Sequence, residues 1–326
     1  MTKNKIKKTQ FFQTIYISIL LIAIFLLTIT PSLSMNTFYD GIRIWATKVL
    51  PSLLPFFILT KLLSYTHFIT SFGKYISPLT RRLYGVGGAS GYVYLMSIIS
   101  GYPVGAKLLS DLYQSKSITR KQAYTITSFT STSGPLFILG TVAVGLFDSI
   151  NIGIIIIISH YLGALINGIF YRHKDESDVQ ALTLSDSTNF LSDSMTNSII
   201  SIMTVGGFIA LFYMMLQILL SFNFFDPISN LFEVWGISKN ITTAIICGLV
   251  EVTTGAIYLS QISIGTYLII PILSFLISFG GLSIHAQAYC FLKNFEMKYN
   301  IFFFQKLSQA AISTLISIGL MFIFPI

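Results

Sequence analysis

Apolar runs of about twenty residues follow one another along this chain, and short polar segments separate them. A bilayer core about 30 Å thick needs roughly twenty helical residues to cross it. The pattern therefore predicts nine membrane segments, near residues 11–30, 42–64, 89–113, 124–147, 153–171, 197–221, 241–260, 264–290 and 307–325. Helices are favoured over barrel strands because the runs are long and uniformly apolar, and because a helix satisfies its own backbone hydrogen bonds in lipid.

Composition agrees with a chain that lies mostly in lipid. Of its 326 residues, 53% are hydrophobic and only 10% are charged, whereas soluble domains carry about a quarter charged residues. This composition excludes a soluble globular enzyme and a disordered chain. The formal net charge is +8, but the basic residues cluster between the apolar runs, as membrane topology requires, so nucleic acid is not an expected partner.

Sequence motifs of common enzymes are missing. The chain contains no Walker A sequence, no H-E-x-x-H and no G-x-S-x-G. Its two cysteines, Cys247 and Cys290, lie inside apolar segments, which argues against a disulfide framework and against a thiolate metal site. We therefore predict no catalytic residue, no metal site and no bound cofactor other than a coupling ion.

The first apolar segment follows four lysines among residues 3–8, so it has the outline of a secretory signal. Its apolar run, 11–30, is longer than the usual signal core of about 7–15 residues. We interpret it as an uncleaved membrane helix with its N-terminus in the cytoplasm. The expected location is a bacterial cell membrane, which the chain crosses several times.

A polar stretch near the middle divides the chain into two similar halves. Gly105-Ala106 and Ser128-Phe129 recur as Gly255-Ala256 and Ser278-Phe279, each 150 residues later. The alternative is a chance match between two apolar halves. The predicted units are an N-terminal basic segment with an extra helix, a first repeat, a polar cytoplasmic linker and a second repeat. Their ranges are 1–39, 40–171, 172–192 and 193–326.

The distribution of basic residues predicts how these halves lie in the membrane. The connections 61–88 and 114–121 are both basic, so a full crossing by 89–113 would place one of them outside, against the positive-inside tendency. A re-entrant hairpin that bends at 101–105 keeps both connections inside. The hairpin residues suited to this bend are Gly101, Pro103 and Gly105, because glycine and proline interrupt helices.

The same reasoning gives the second half the opposite orientation. The connection 222–240 carries a single Lys or Arg, which places it outside, and the segment 241–260 then forms a second re-entrant hairpin that opens outside. The predicted fold class is an all-α polytopic membrane protein, an inverted repeat with two hairpins and two broken helices. Secondary transporters of this kind bind solutes near the membrane midplane. Nine plain spans remain the alternative, since Gly and Pro also occur in unbroken membrane helices.

Glu251 is the sharpest chemical signal in the sequence. It lies within the second hairpin, followed by Thr253 and Thr254, with about ten mostly apolar residues before it. A carboxylate at membrane depth costs at least about 2.5 kcal/mol, so it normally faces a polar cavity or partner. We predict that Glu251 accepts hydrogen bonds from a polar solute or helps to bind a cation. The alternative is a carboxylate at the aqueous mouth of the hairpin.

Two further polar stretches coincide with predicted helix breaks. The first is rich in hydroxyl groups and ends in Gly134-Pro135; the second follows the pair Gly280-Gly281. Hydroxyls and freed carbonyls replace the water around a sodium ion, so the first stretch is the predicted ion site: Ser128, Thr130, Ser131, Thr132 and Ser133. The alternative is that these hydroxyls bond to their own helix.

In the second stretch, Ser283, His285 and Gln287 alternate, so an unwound backbone would place them on one side, facing a solute. A structural, hydrogen-bonded role for His285 remains the alternative. At the first hairpin tip, Tyr102 is predicted to stack on a planar ligand or to anchor the chain at the membrane interface.

Three motifs resemble the YlbJ-type sporulation integral membrane proteins of spore-forming bacteria. They are LPSLLPFF at 50–57, SGYPVGAK at 100–107 and SFTSTSGPLFILGTVAVG at 128–145, and the resemblance covers nearly the whole chain from about residue 40. That family is grouped with proteins bearing the nucleoside-recognition Gate domain, which concentrative nucleoside transporters and FeoB also contain. The resemblance implies a nucleoside-transporter-like fold and a role in forming resistant spores.

The same resemblance assigns roles to residues. Glu251 matches a hairpin glutamate that contacts ribose in nucleoside transporters, and sodium lies near the first hairpin and broken helix there. The first hairpin departs from that pattern, because Gly-Tyr-Pro-Val-Gly at 101–105 replaces a polar tip that binds the nucleobase. A nucleoside is therefore not the expected solute.

We expect a membrane protein that moves a small polar solute. If its transport is coupled to an ion, the expected ion is Na⁺ or H⁺. Its expected partners are membrane lipid, the solute, and either a second copy of the chain or other sporulation membrane proteins. A second expected location is a membrane that surrounds the spore. The alternative function is a non-transporting scaffold for spore envelope or cortex assembly. Catalysis is a distant third interpretation.

Overall fold

The computed structural model describes residues 3–63, 65–66, 68–172 and 189–324, and every regular element in these ranges is helical. The first part of the chain contains α1 (Lys3–Ile29), α2 (Pro31–Ile44), α3 (Leu50–Leu63), α4 (Phe68–Tyr84), α5 (Ala89–Ser100), α6 (Val104–Gln114), α7 (Arg120–Thr130), α8 (Gly145–Phe147) and α9 (Ile150–Phe170). A π-helical turn, Trp45–Val49, joins α2 to α3, and a second, Phe137–Val144, leads into α8.

The second part continues with α10 (Phe190–Ser221), α11 (Asp226–Val234), α12 (Lys239–Val250), α13 (Val252–Ser260), α14 (Thr266–Phe279), α15 (Gly281–Leu292), a 3₁₀ turn (Lys293–Phe295) and α16 (Tyr299–Ile323). Most of the predicted polar linker, 173–188, lies outside the described residues. The predicted unit boundaries stay predictions; the helices that open the two units begin at Pro31 and Phe190.

The predicted all-helical polytopic class is confirmed for the described part of the chain. Four stretches there are long and apolar enough to cross a membrane: Ile150–Phe170, Phe190–Ser221, Thr266–Phe295 and Tyr299–Ile323. There is a fifth stretch if Gln13–Ile29 and Pro31–Val49, which are bent by 105° at the break between them, are counted as one span. The remaining apolar helices are too short to cross singly.

Two of the short apolar pairs form helical hairpins, α5 with α6 and α12 with α13. In the first pair, Gly101 ends α5 with a φ of +72°, and α6 begins at Val104. In the second, Glu251 alone separates α12 from α13, in an extended conformation. Within each hairpin the two helices pack against each other.

Two other helices are interrupted in their middle. Residues 131–134 are not helical, and Pro135 follows them. Gly280, with a φ of +91°, separates α14 from α15. Each hairpin approaches the break of its own half backbone to backbone: a Cβ on Gly101 would lie 2.7 Å from the nitrogen of Gly134, and one on Gly281 would lie 2.9 Å from the carbonyl oxygen of Gly248.

Both halves contain the same elements in the same order. Each half has, in order, a long helical stretch, a shorter helix, a hairpin, a broken helix and a long unbroken helix. In the first half these elements are α2–α3, α4, α5–α6, α7–α8 and α9. In the second half they are α10, α11, α12–α13, α14–α15 and α16. The opposite orientation of the two halves in a membrane stays a prediction.

Two helices lie in regions that the apolar pattern left as connections. The helix α4 occupies 68–84 and packs on α5, and α11 occupies 226–234 and packs on α12. Both are amphipathic, with Lys74, Arg81 and Arg82 exposed on α4. A search for uniformly apolar runs does not detect such helices, because only one side of each is apolar.

The interior contains a polar seam where α9, α14 and α16 pack together. Its buried side chains are Ser159, His160 and Asn167 of α9, Ser274 and Ser278 of α14, and Lys306, Gln309, Ser313 and Ser317 of α16. Small residues allow close approach here, since a Cβ on Gly163 would collide with the hydroxyl of Ser313. The seam connects the two breaks with the first hairpin tip.

Candidate functional site

A cleft lies between the two hairpin tips and the two helix breaks, and residues from both halves line it. Its polar side chains are those of Tyr102, Ser133, Glu251, Thr253 and Gln287, beside Gly101 and Gly134. Its apolar wall consists of Val49, Leu53, Phe137, Val205, Ile209, Val252 and Ile284. Residues that are far apart in the sequence, and that the sequence analysis selected for different reasons, thus meet at one place.

Glu251 caps the second helix of its hairpin and is only 2% exposed. The backbone N–H of Thr253 donates to Oε1 at 3.1 Å, and that of Thr254 donates to Oε2 at 2.6 Å. The hydroxyl of Thr254 also donates to Oε2, at 2.7 Å. A carboxylate at a helix N-terminus is stabilised by these donors and by the helix dipole. The buried charge is therefore partly compensated, and Oε1, with one bond, keeps acceptor capacity.

Tyr102 lies inside the protein and is 9% exposed. Its hydroxyl donates to the carbonyl oxygen of Ile277 at 2.8 Å, in the last turn of α14. That carbonyl is one of those that a helix leaves without an internal partner at its C-terminal end. Tyr102 thus ties the first hairpin tip to the second broken helix, which is a different position from a membrane-interface anchor.

The predicted ion-binding hydroxyls do not converge on one point. Ser128 donates to the carbonyl of Thr125 at 2.6 Å and Thr130 to that of Ile126 at 2.9 Å, so both bond to their own helix. Thr132 donates to the hydroxyl of Ser97 at 3.1 Å. Among the five, Ser133 lines the cleft, and Ser131 contributes its carbonyl to the interior. The first break therefore presents mainly backbone polar atoms, rather than hydroxyl groups, to the interior.

Ser283, His285 and Gln287 do not all face one side, as an unwound backbone would allow. The backbone is unwound only at Gly280, and α15 resumes at once. In a helix, residues two apart point in different directions. Gln287 lines the cleft and donates to Ser283 at 3.3 Å. His285 instead bonds to the carbonyl of Phe279 through Nε2, at 2.9 Å, so it satisfies a carbonyl at the end of α14.

Lys306 is a residue of the interior that the sequence did not single out. It belongs to α16 and is 1% exposed. Its Nζ donates to the carbonyl of Ser131 at 2.7 Å and to Oε1 of Gln309 at 2.8 Å. The polar residues 306, 309, 313 and 317 follow helical spacing within an apolar run, and that signal was available in the sequence.

His160 and Asn167 of α9 complete the polar connections between the breaks. His160 accepts the backbone N–H of Ser133 at 2.9 Å through Nε2, and its Nδ1 lies 2.8 Å from the hydroxyl of Ser278. Because Nε2 accepts, Nδ1 carries the hydrogen and donates. Asn167 donates to the carbonyls of Ser128 and Gln305, at 2.7 and 3.0 Å. His160 thus bonds to groups beside both breaks, whereas Asn167 connects α9 with α7 and α16.

Comparisons with known proteins agree with this architecture. The Gate family, described as nucleoside recognition, matches residues 46–150. The solved structure of a doubly substituted CNTnw, a concentrative nucleoside transporter, in an outward-facing state superposes with a TM-score of 0.50; it covers 98% of this chain and 88% of that one, with 15% identity. The protein is therefore a polytopic membrane protein with a nucleoside-transporter-like fold.

Sequence similarity then defines the family. The sporulation integral membrane protein YlbJ of Bacillus subtilis is 31% identical over 327 aligned residues, which cover 90% of this chain and 80% of the relative. The chain belongs to the YlbJ family of sporulation integral membrane proteins. The resemblance drawn from the three sequence motifs is confirmed.

Proposed function

We propose that this protein binds a small polar solute in the cleft and moves it across a bacterial membrane during spore formation. One observation supports the proposal above all: both hairpin tips and residues beside both helix breaks meet at a cleft that contains the buried carboxylate of Glu251. Broken helices around a site between two halves are typical of secondary transporters. The name of the Bacillus subtilis relative supports the link to sporulation.

The lining defines the chemistry of the solute. Glu251 accepts hydrogen bonds, Gln287 donates and accepts them, and the surrounding wall is apolar. A solute that fits presents N–H or O–H donors to Glu251 and an apolar face to Val205 and Ile209. The residues proposed to bind it are Glu251, Tyr102, Thr253 and Gln287, with Thr254 holding the carboxylate in place.

The proposed setting is the bacterial cell membrane or a membrane around the developing spore, with the N-terminus in the cytoplasm. Lipid surrounds the exposed apolar helices, and a second copy or other sporulation membrane proteins are the proposed protein partners. Coupling, where it operates, uses Na⁺ or H⁺. No reaction is assigned to the chain, since its relatives are membrane proteins and transporters.

A thermal-shift screen of the purified protein tests the proposed binding. A ligand that binds only the native state raises the apparent stability, so nucleosides, dicarboxylates and small amines are each added and the melting temperature is measured. We expect a stabilising solute whose effect disappears in Glu251→Gln. The matched control is Ser238→Ala, which removes the N-cap of α12 in the same hairpin but outside the cleft. Equal stabilisation of wild type and Glu251→Gln would contradict the proposal.

A scaffold for spore envelope assembly is the second candidate, and one observation favours it. Glu251 already accepts three hydrogen bonds from its own hairpin, which is what a purely structural carboxylate requires. Counts of heat-resistant spores from cells that carry Glu251→Gln or Glu251→Ala, at equal protein levels, separate the two functions. A transporter loses resistance in both variants, whereas unchanged spores would favour the scaffold.

A further inference from the structure

Lys306 places its terminal amino group at the first helix break, in the interior of the protein. We propose that its ammonium group is a resident cation that occupies the oxygen-lined position at this break, so that the protein needs no free sodium ion there. This inference concerns the coupling ion of the proposed function and refines it. It does not require that a solute be transported, so the two can fail separately.

The oxygen-lined position at the first break exists because Pro135 has no N–H to donate to the carbonyl of Ser131. In an unbroken helix, the nitrogen of residue 135 would donate to the carbonyl of residue 131. Proline removes that donor, and the carbonyl of Ser131 is left without its helical partner. Lys306 takes over this carbonyl, at 2.7 Å from Nζ. Lys306 thus replaces the donor that is missing at the break, although 175 residues separate it from Ser131 in the sequence.

The surroundings of Nζ match a charged ammonium group. An ammonium has three N–H donors and no acceptor. Nζ has three oxygen neighbours: the carbonyl of Ser131 at 2.7 Å, Oε1 of Gln309 at 2.8 Å and the hydroxyl of Tyr102 at 3.4 Å. The hydrogen of the Tyr102 hydroxyl is used in the bond to Ile277, so toward Lys306 that oxygen accepts. Each of the three donors therefore meets an acceptor.

The face of an aromatic ring adds to this environment. Nζ lies 5.0 Å from the centre of the Tyr102 ring, within the range of a cation–π interaction. No carboxylate in the described part of the chain forms an ion pair with Lys306. The charge is thus held by oxygen dipoles and a ring, and oxygen is also the ligand that hard metal cations prefer.

The ammonium group of Lys306 contacts the same elements that an ion bound at this break would contact. Through Tyr102 it contacts the first hairpin tip, through Ser131 the first break, and through its own helix α16 the second half of the chain. A cation that is covalently attached to α16 cannot leave. We therefore expect this junction to be independent of the salt in which the protein is kept.

The first experiment uses the wild-type full-length protein in detergent. Its melting temperature is measured in NaCl, KCl and choline chloride at equal ionic strength, over a range of concentrations and without solute. The proposal predicts the same melting temperature in the three salts. A saturable rise that is specific to Na⁺ would overturn it, because it would show that a free sodium ion binds the native state.

The second experiment removes the charge. Lys306→Ala is expected to melt several degrees lower than wild type in choline chloride, and methylammonium chloride is expected to raise its melting temperature saturably by refilling the position. Lys306→Met keeps the length of the side chain, so it should melt lower but gain nothing from methylammonium. The exposed Lys298→Ala is the control and should behave as wild type.

A Lys306→Ala protein as stable as wild type in every salt would overturn the proposal, since the position would then not need a cation. Where neither variant folds, the salt comparison on the wild-type protein decides alone. Because no step involves solute, a negative result in the solute screen leaves these outcomes unchanged.

Discussion

The hydroxyl of Tyr102 donates a 2.8 Å hydrogen bond to the carbonyl oxygen of Ile277, which joins the tip of the first hairpin to the second broken helix. The two residues belong to different halves of the chain. The contact satisfies a helix-end carbonyl in the interior, where no bulk water is present to replace the bond. It also orients the tyrosine oxygen toward Lys306, at 3.4 Å from Nζ.

We expect Tyr102→Phe to destabilise the protein. The change keeps the ring but leaves the carbonyl of Ile277 and one N–H of Lys306 without a partner, and an unsatisfied buried polar group costs about 1–3 kcal/mol. Denaturation in detergent micelles measures the loss. The control is Tyr75→Phe, because Tyr75 is 85% exposed. Equal losses in the two variants would contradict the role of the Tyr102 hydroxyl.

Gly101→Ala is expected to disrupt the first hairpin tip. Gly101 has a φ of +72°, and a Cβ there would lie 2.7 Å from the backbone nitrogen of Gly134. The strain and the collision together should lower the free energy of unfolding by about 1–3 kcal/mol or more. Gly207→Ala is the matched control, since apart from the adjoining residues and backbone of α10 no described atom lies within 4 Å of a Cβ at that position. In the middle of α10 that change should be neutral or stabilising. A fully stable Gly101→Ala protein would show that the tip does not pack on Gly134.

Asn167→Ala tests the polar connection between α9 and its neighbours. The amide donates to the carbonyls of Ser128 and Gln305, and the substitution leaves both without that donor. We expect a loss of about 2 kcal/mol in the free energy of unfolding, at the centre of the usual range for such groups. The exposed Asn230→Ala on α11 should change stability by less than about 0.5 kcal/mol. Indistinguishable losses would mean that Asn167 is dispensable.

Cysteine labelling tests the predicted topology. Lys121→Cys and Asn230→Cys are each placed at exposed positions, in a background where the exposed Cys290 is replaced by serine and the buried Cys247 is kept. With a membrane-impermeant maleimide on intact cells, we expect labelling of the Asn230→Cys protein and protection of the Lys121→Cys protein. Permeabilised cells should label both. Two sites labelled from the same side would remove the inverted-repeat interpretation.

The structure gives an internal reason to expect that result for Lys121. The neighbouring Arg120 donates to Glu296 at 2.7 Å, so the start of α7 and the turn before α16 lie at one end of the protein. The connection 114–121 is basic in the sequence and is predicted to be cytoplasmic. The ion pair is exposed, so it marks this end without contributing much to stability.

The interruptions of the helices have local causes. Gly101 and Gly280 lie at helix ends and Pro135 follows a non-helical stretch, because a missing Cβ or N–H acts on the backbone of its own neighbourhood. Glu251 was also identified locally, since a carboxylate within an apolar run is unusual wherever it lies. The amphipathic helices α4 and α11 were missed because the criterion required continuous apolar runs.

The sequence by itself determined that the chain is a helical membrane protein and to which family it belongs. Only the tertiary structure decided which polar groups meet. Helix packing across long separations brings Tyr102 to Ile277 and Lys306 to Ser131, and it places Glu251 and Gln287 in the lining of one cleft. No local propensity contains that information. A lysine near the start of an apolar run has the same local sequence whether it faces water or a freed carbonyl. The carbonyl that Pro135 frees gives the buried Lys306 one of its three oxygen partners.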